Sequence, residues 1–301
     1  MYELIRAGER TWYIDCPAKM GLFLAEDGAW LIDSGNDKDA GRRVRKLLDA
    51  NGWTLAGILN THSNADHIGG NRFLQDRYHC PVYSTPAENA LIRAPRLEPS
   101  FLYGGYPCKA LCNKFLMAQE SVPSPIEGAP LPEGLEVFPL PGHFFGMVGF
   151  RTPDGVCFLA DCLSGEAVLE KYHVGFIYDV RAYLETLDWV ETLEAKLFVP
   201  AHAPAAEDIR PLAALNRAKV QEIAGRVLAI CAEPRTPDEV IREVFSVYGL
   251  TMDFNQYVLV GSTVRSYLST SATRGWSPRG SRTTVCCGNA SEPPDRRSGG
   301  K

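Results

Sequence analysis

The segment LNTHSNADHIGGN, residues 59–71, constrains this chain more than any other. It follows LAGIL, an apolar run that reads as a buried strand, and leads into GGNRFLQDRYH, which reads as a helix. A strand end carrying His, Asp and Asn beside a Gly pair is either a polar turn or a metal site. The two are told apart by whether further His and Asp fall at other strand ends. Imidazole nitrogens and carboxylate oxygens arriving from several loops are what borderline divalent metals such as zinc take.

The chain has six His, and four sit in such places: His62 and His67 in this segment, His143 in LPGHFFG and His202 in VPAHAP. Asp66 in the segment and Asp161 in FLADCL join them, and Asp33 in LIDSGN ends another strand-like run. Any one of these alone reads as a solvated loop residue, a turn residue or, for Asp33, a helix cap. Together, each following a strand-like run, they point to loops that converge at one sheet edge. His173 in EKYHVGF reads as structural, and Cys162 as a small buried residue.

Strand-like runs TWYID, GLFLA and AWLID open the chain, followed by the helix DKDAGRRVRKLLDANG ending on Gly52. Residues 93–132 are rich in Pro, Gly and aromatics and read as an ordered irregular insertion on the substrate side. Within it Tyr103, Tyr106, Lys114 and Phe115 are candidates for lining the mouth of a site. Strands resume with LEVFPL, GMVGFRT, GVCFLADC and LFVPAHAP, with a helix expected over 180–196 before the last. From residue 205 to 270 the pattern is helical, with TPDEVIREVFSVYG running from a Thr N-cap and Pro to a closing Gly. This region is expected to be a small, winged-helix-like accessory domain.

Residues 271–301 carry no periodicity and are expected to be disordered, or to be a frameshifted replacement of a native C-terminus. A permitted codon string for Arg282–Gly288, shifted by one base, reads DNRLLW, a strand-like string. Resequencing the gene and finding codons that exclude that peptide eliminates the frameshift.

In order along the chain, Asp33, Thr61-His62-Ser63-Asn64-Ala65-Asp66-His67-Ile68-Gly69-Gly70, Gly142-His143, Asp161 and His202 resemble the motifs of the metallo-β-lactamase-fold hydrolases, in particular the glyoxalase II-like branch. The resemblance covers residues 1–204 and implies an α/β (α+β) fold, a four-layer αββα sandwich with its metal site along one edge of the two sheets. It further implies that His62, residue 64 and His143 hold one metal, that Asp66, His67 and His202 hold a second, and that Asp161 bridges. Asp33, Gly69 and Gly70 then support the site structurally.

Asn64 departs from the family, which has His there. Three readings stay open. The Asp66/His67/His202 site binds metal tightly and the other weakly; or Asn64 ligates through its oxygen or a water, favouring Mn or Fe over Zn; or the chain is an inactive member. One or two zinc ions are the expected cofactor. The implied chemistry is a hydroxide nucleophile generated on the metal near neutral pH, oriented by Asp66, attacking a thioester, ester or lactone. The alternatives are a nuclease or phosphodiesterase of the same fold, and a non-catalytic relic that senses a metabolite.

The net charge of −5 and a pI near 5.7 leave no basic footprint for nucleic acid or an anionic membrane. No apolar run is long enough to span a bilayer, and the first residues do not read as a signal peptide. Nine scattered Cys argue for reduced thiols. Cys108 and Cys112 have metal-like spacing, but no second pair follows. The expectations are a cytoplasmic protein, a small-molecule substrate and a possible homodimer.

Overall fold

The computed structural model describes residues 2–274. Seven strands form the first sheet in sequential order: β1 (Glu3–Arg6), β2 (Thr11–Asp15), β3 (Met20–Ala25), β4 (Gly28–Ile32), β5 (Leu55–Leu59), β6 (Val82–Ser84) and β7 (Pro123–Pro125). Pairing is antiparallel from β1 to β4 and parallel from β4 to β7. The second sheet holds β8 (Glu136–Pro139), β9 (Val148–Arg151), β10 (Val156–Ser164) and β11 (Leu197–His202), in the order β11-β10-β9-β8. Between and after the strands lie α1 (Lys38–Asn51), α2 (Ala65–Ile68), α3 (Asn71–Tyr78), α4 (Pro86–Arg93), α5 (Leu97–Tyr103), α6 (Glu166–Tyr172), α7 (Val180–Val190), α8 (Arg210–Ile230), α9 (Pro237–Tyr248) and α10 (Phe254–Arg274).

Side-chain alternation explains the layers. In β4, Ala29 and Leu31 pack with Val44 and Leu48 of α1 and Leu74 of α3, while Trp30 and Ile32 face the other way. Trp30 and Ile32 meet Phe150, Val156, Phe158 and Val199 of the second sheet. In β10 the same period of two sends Cys157 and Leu159 outward, to α7, α8, α9 and α10. The result is helix, sheet, sheet, helix. The sheets approach so closely at Gly21 that a Cβ there would lie 2.6 Å from the Phe158 ring.

Local signals set the helix ends. Asp37 caps α1 by accepting from the backbone N–H groups of Asp39 and Ala40, and Gly52 closes it in the left-handed conformation. Thr236 and Glu239 form a reciprocal capping box on α9, and Gly249 closes that helix. The helix expected to reach 196 stops at Val190, and the Thr192 hydroxyl then donates to the Trp189 carbonyl.

Residues 93–132 are not wholly irregular: they contain α5 and β7, and Leu102, Leu111 and Leu116 form a cluster with Val258 of α10. No strand follows β11 among the described residues, so the C-terminal helices carry no wing there. Those helices pack on the sandwich, and Val220, Ile241 and Val264 share one apolar cluster with Leu159 and Phe198. The expected tail begins too early: α10 runs through residue 274, and the remainder, 275–301, lies outside the described residues. Among the described residues no helix is long and apolar enough to cross a membrane.

Candidate metal centre

Four imidazoles are held by their Nδ1 atoms. His143 Nδ1 donates to the Phe176 carbonyl at 3.0 Å, and His202 Nδ1 to the Pro17 carbonyl at 2.9 Å. His67 Nδ1 donates to the Asp33 carboxylate at 2.8 Å. His62 Nδ1 lies 2.9 Å from the Thr61 hydroxyl. That hydroxyl spends its hydrogen on Asp33, 2.7 Å away, so it accepts from His62. Every Nδ1 therefore carries hydrogen, and every Nε2 is left to face inward. Such outer contacts, to carbonyl or carboxylate, orient metal-binding histidines generally.

Two sets of side chains meet there: His62, His143 and Asp161, and Asp66, His67 and His202, each set able to bring its donor atoms within 4.8 Å of one another. Asp161 lies between them, with Oδ1 3.0 Å from His67 Nε2 and Oδ2 3.2 Å from His202 Nε2 and 3.6 Å from His143 Nε2. Asp66 Oδ2 is 3.3 Å from His202 Nε2. Within the protein, His62 Nε2, His67 Nε2 and Asp161 Oδ1 are buried without hydrogen-bond partners. Imidazoles and carboxylates crowded in this way are held together either by protons on His67 and His202 or by a shared cation, and this donor set fits a divalent metal.

Backbone features aim these groups. A non-Gly residue with positive φ, Ala160 at 48°, interrupts the register of β10 against β11 and precedes Asp161. Asp33 follows β4 with φ 60°, a conformation Asp tolerates better than most residues, and accepts from the Thr61 N–H as well as from the Thr61 hydroxyl and His67. The Gly pair is needed for close approach, not for unusual φ. A Cβ on Gly69 would sit 2.2 Å from the Asn36 carbonyl carbon, and one on Gly70 2.3 Å from the Ser34 carbonyl oxygen.

The electrostatics divide the site. Burial opposes charge on His67 and His202, but the Asp161 carboxylate, with Asp33 and Asp66 beside His67 and Asp66 beside His202, outweighs it. His67 is held well above the usual range and His202 up to about 10. Burial lowers His62 and His143 instead. Loss of water opposes charge on Asp66, which is partly exposed, and on Asp161, which is nearly buried, but the neighbouring imidazoles outweigh it and hold both carboxylates below the ordinary range.

Asn64 does not face away from this centre. Its Oδ1 lies 3.0 Å from His143 Nε2, and its Nδ2 donates to Glu98 Oε1 at 2.7 Å. Glu98, on α5, is buried, and burial pushes its carboxyl well above the usual range. Glu88, on α4, is also buried; it accepts from the Ser63 N–H and hydroxyl and from the Gly146 N–H, tying the His62 loop to the His143 loop. Neither carboxyl was legible in the sequence, because nothing local distinguishes a buried Glu from a solvated one and the partners of both lie far along the chain.

The centre forms the floor of a cavity of about 780 Å³, reached by Asn64, Asp66, Glu98, His143, Asp161 and His202. Its walls include the buried Val174, Ile177, Val220 and Ile223, with Leu116 and Leu259. Of the four mouth candidates, Phe115 lines this cavity. Tyr103 and Tyr106 are exposed and do not line it, and Lys114 is engaged 3.0 Å away by Asp37, the cap of α1. His173 lies against the cavity, stacked on Tyr248 and 3.2 Å from Lys219 Nζ. Cys162 is fully buried.

A family model described as the metallo-beta-lactamase superfamily matches residues 14–202, and the chain belongs to that family. Among curated proteins, a hydroxyacylglutathione hydrolase of Ruegeria pomeroyi is 30% identical over 151 residues, 46% of this chain and 49% of that protein. The chain thus spans about half the length of that relative, and 28% of a hydroxyacylglutathione hydrolase of a Bradyrhizobium species, at 48% identity over 72 residues, 24% of this chain. Among solved structures, a metallo-beta-lactamase family protein of Thermus thermophilus superposes with a TM-score of 0.67 at 20% identity, covering 91% of this chain and 96% of that one. At that identity the likeness speaks to fold.

Proposed function

We propose that this protein is a metal-dependent hydrolase that opens a thioester, ester or lactone whose acyl part is apolar. The observation that carries this reading is the convergence of four Nε2 atoms and two carboxylates on the floor of an aliphatic cavity. His62, His143, Asp161 and Asn64 would hold one divalent ion, and Asp66, His67, His202 and Asp161 a second. A divalent cation there, with zinc, manganese or iron as candidates, supplies Lewis acidity and lowers the pKa of water. Asp66 is the acid most open to the cavity, and its carboxylate accepts a hydrogen bond from the attacking water and fixes its direction. The aliphatic walls exclude bulk water and seat the acyl chain.

A nucleic-acid substrate is disfavoured by the same walls. The cationic side chains lining the cavity, Lys171 and Lys219, are both engaged: Lys171 lies over the Tyr172 ring, and Lys219 is 2.8 Å from Glu222. The test is turnover by zinc- or manganese-loaded protein of a thioester series from acetyl to decanoyl, of a glutathione thioester, and of bis(p-nitrophenyl) phosphate. Burial of one CH₂ contributes about 0.8 kcal/mol, so kcat/KM is expected to rise about fourfold per methylene until the cavity is full. Metal-loaded protein that hydrolyses only the phosphodiester, or none of these substrates, refutes the assignment.

A further inference from the structure

Asn64 offers two chemically opposite ends, and its surroundings decide which one meets the metal position. The amide oxygen and nitrogen look alike in outline, so only the partners distinguish them. On one side stands His143, whose Nδ1 hydrogen is committed to the Phe176 carbonyl and whose Nε2 therefore presents a lone pair. On the other stands Glu98, 4% exposed, with its Oε1 2.7 Å from the Asn64 amide nitrogen. In this arrangement the amide nitrogen donates to Glu98, the amide oxygen is turned to His143, and two lone pairs face each other across 3.0 Å. Such a contact repels in isolation. It is the spacing of neighbouring donors on one cation, since ligands bound at about 2.1 Å stand roughly 3 Å apart.

We propose that Glu98 is a positioning residue that turns Asn64 into an oxygen ligand of the first metal position. That position then offers two imidazoles, an amide oxygen and the Asp161 carboxylate, in place of the three imidazoles of the family pattern. The donor set is harder for it, and its preference shifts from zinc towards manganese or ferrous iron. Glu98 acts through Asn64 and touches neither metal nor substrate. The proposal rests on the metal-dependent reading above, and the experiment separates the two.

Metal-free full-length protein is titrated calorimetrically with Zn(II) and with Mn(II), for wild type, Glu98→Leu, Glu98→Gln, Asn64→Ala and the Glu98→Leu/Asn64→Ala double variant. Loss of an outer partner of a metal ligand weakens binding about 10- to 100-fold. Glu98→Leu is expected to weaken the first site by that factor while leaving the Asp66/His67/His202 site unchanged. Glu98→Gln, whose carbonyl can still accept the Asn64 hydrogen, is expected to restore most of the affinity. In the Asn64→Ala background, removal of Glu98 is expected to change nothing further, because the group it positions is gone.

Unchanged first-site affinity in Glu98→Leu overturns the proposal. So does an equal loss in both backgrounds, or a parallel loss at both sites, either of which assigns Glu98 a general packing role. A rise in first-site affinity means that the amide is held the other way round, with its NH₂ on His143, and overturns it too. Wild type that binds no metal overturns the hydrolase reading along with it, whereas intact second-site binding with any of the other adverse results overturns this proposal alone.

Discussion

Asp33→Asn isolates what the buried carboxylate does, because Asn is also at home at a φ of 60° and adds no volume. Asp33 receives three donors: the Thr61 N–H on Oδ1, and the Thr61 hydroxyl and His67 Nδ1–H on Oδ2. An amide has one oxygen. If it takes the Oδ2 place, its NH₂ confronts the Thr61 N–H, and a buried donor is left unpaired at about 1–3 kcal/mol. If it takes the other place, the NH₂ confronts His67 Nδ1–H, and relief requires His67 to move its hydrogen to Nε2, where it blocks the metal position. The hydrogen bonds that survive also lose their charge assistance, worth roughly 1 kcal/mol each. The sum is a destabilisation of about 3 kcal/mol for metal-free protein. A further loss of second-site metal affinity of about 10- to 100-fold is expected. Urea denaturation and calorimetric zinc titration measure the two effects. A change below about 1 kcal/mol, together with zinc affinity within twofold of wild type, refutes the idea that Asp33 sets the tautomer of His67.

Two further predictions concern the same region. In metal-free protein the raised pKa of His202, about 10 against an ordinary value near 6.5, contributes stability that is full below pH 6.5 and is lost as pH rises towards 10. Urea midpoints of chelator-treated protein should therefore fall between pH 7 and 9.5, while zinc-loaded protein, whose Nε2 atoms are occupied, should not share that slope; a flat metal-free profile counts against the carboxylate–imidazole cluster. Gly70→Ala forces a Cβ to within 2.3 Å of the Ser34 carbonyl oxygen, and should cost about 1–3 kcal/mol and weaken metal binding through displacement of the 62–67 loop, as read by thermal denaturation and zinc titration. A variant with wild-type stability would show that the contact between the Gly pair and residues 34–37 is looser than the geometry states.

The sequence by itself determined the strand-like runs of β2 to β5 and β8 to β11, the Gly that closes α1, both caps of α9, and which His and Asp stand at strand ends. These are local properties: a period of two, a Gly in the left-handed conformation and a polar residue after an apolar run are all readable within a few positions. It also marked Asn64 as the departure from the family pattern. It could not assign Asn64 a role, because that role is set by Glu98 on α5 and by the Phe176 carbonyl that orients His143, groups 34 and 112 positions away in the chain. Nor could it see that α8 and α10 share the sandwich's core and help to wall the cavity, since helical periodicity states that a face is apolar but not what it covers. Tertiary structure decided these points because the tautomer of an imidazole, the orientation of an amide and the ionisation of a buried carboxyl depend on which atoms lie within about 3 Å, and only the folded chain brings those atoms together.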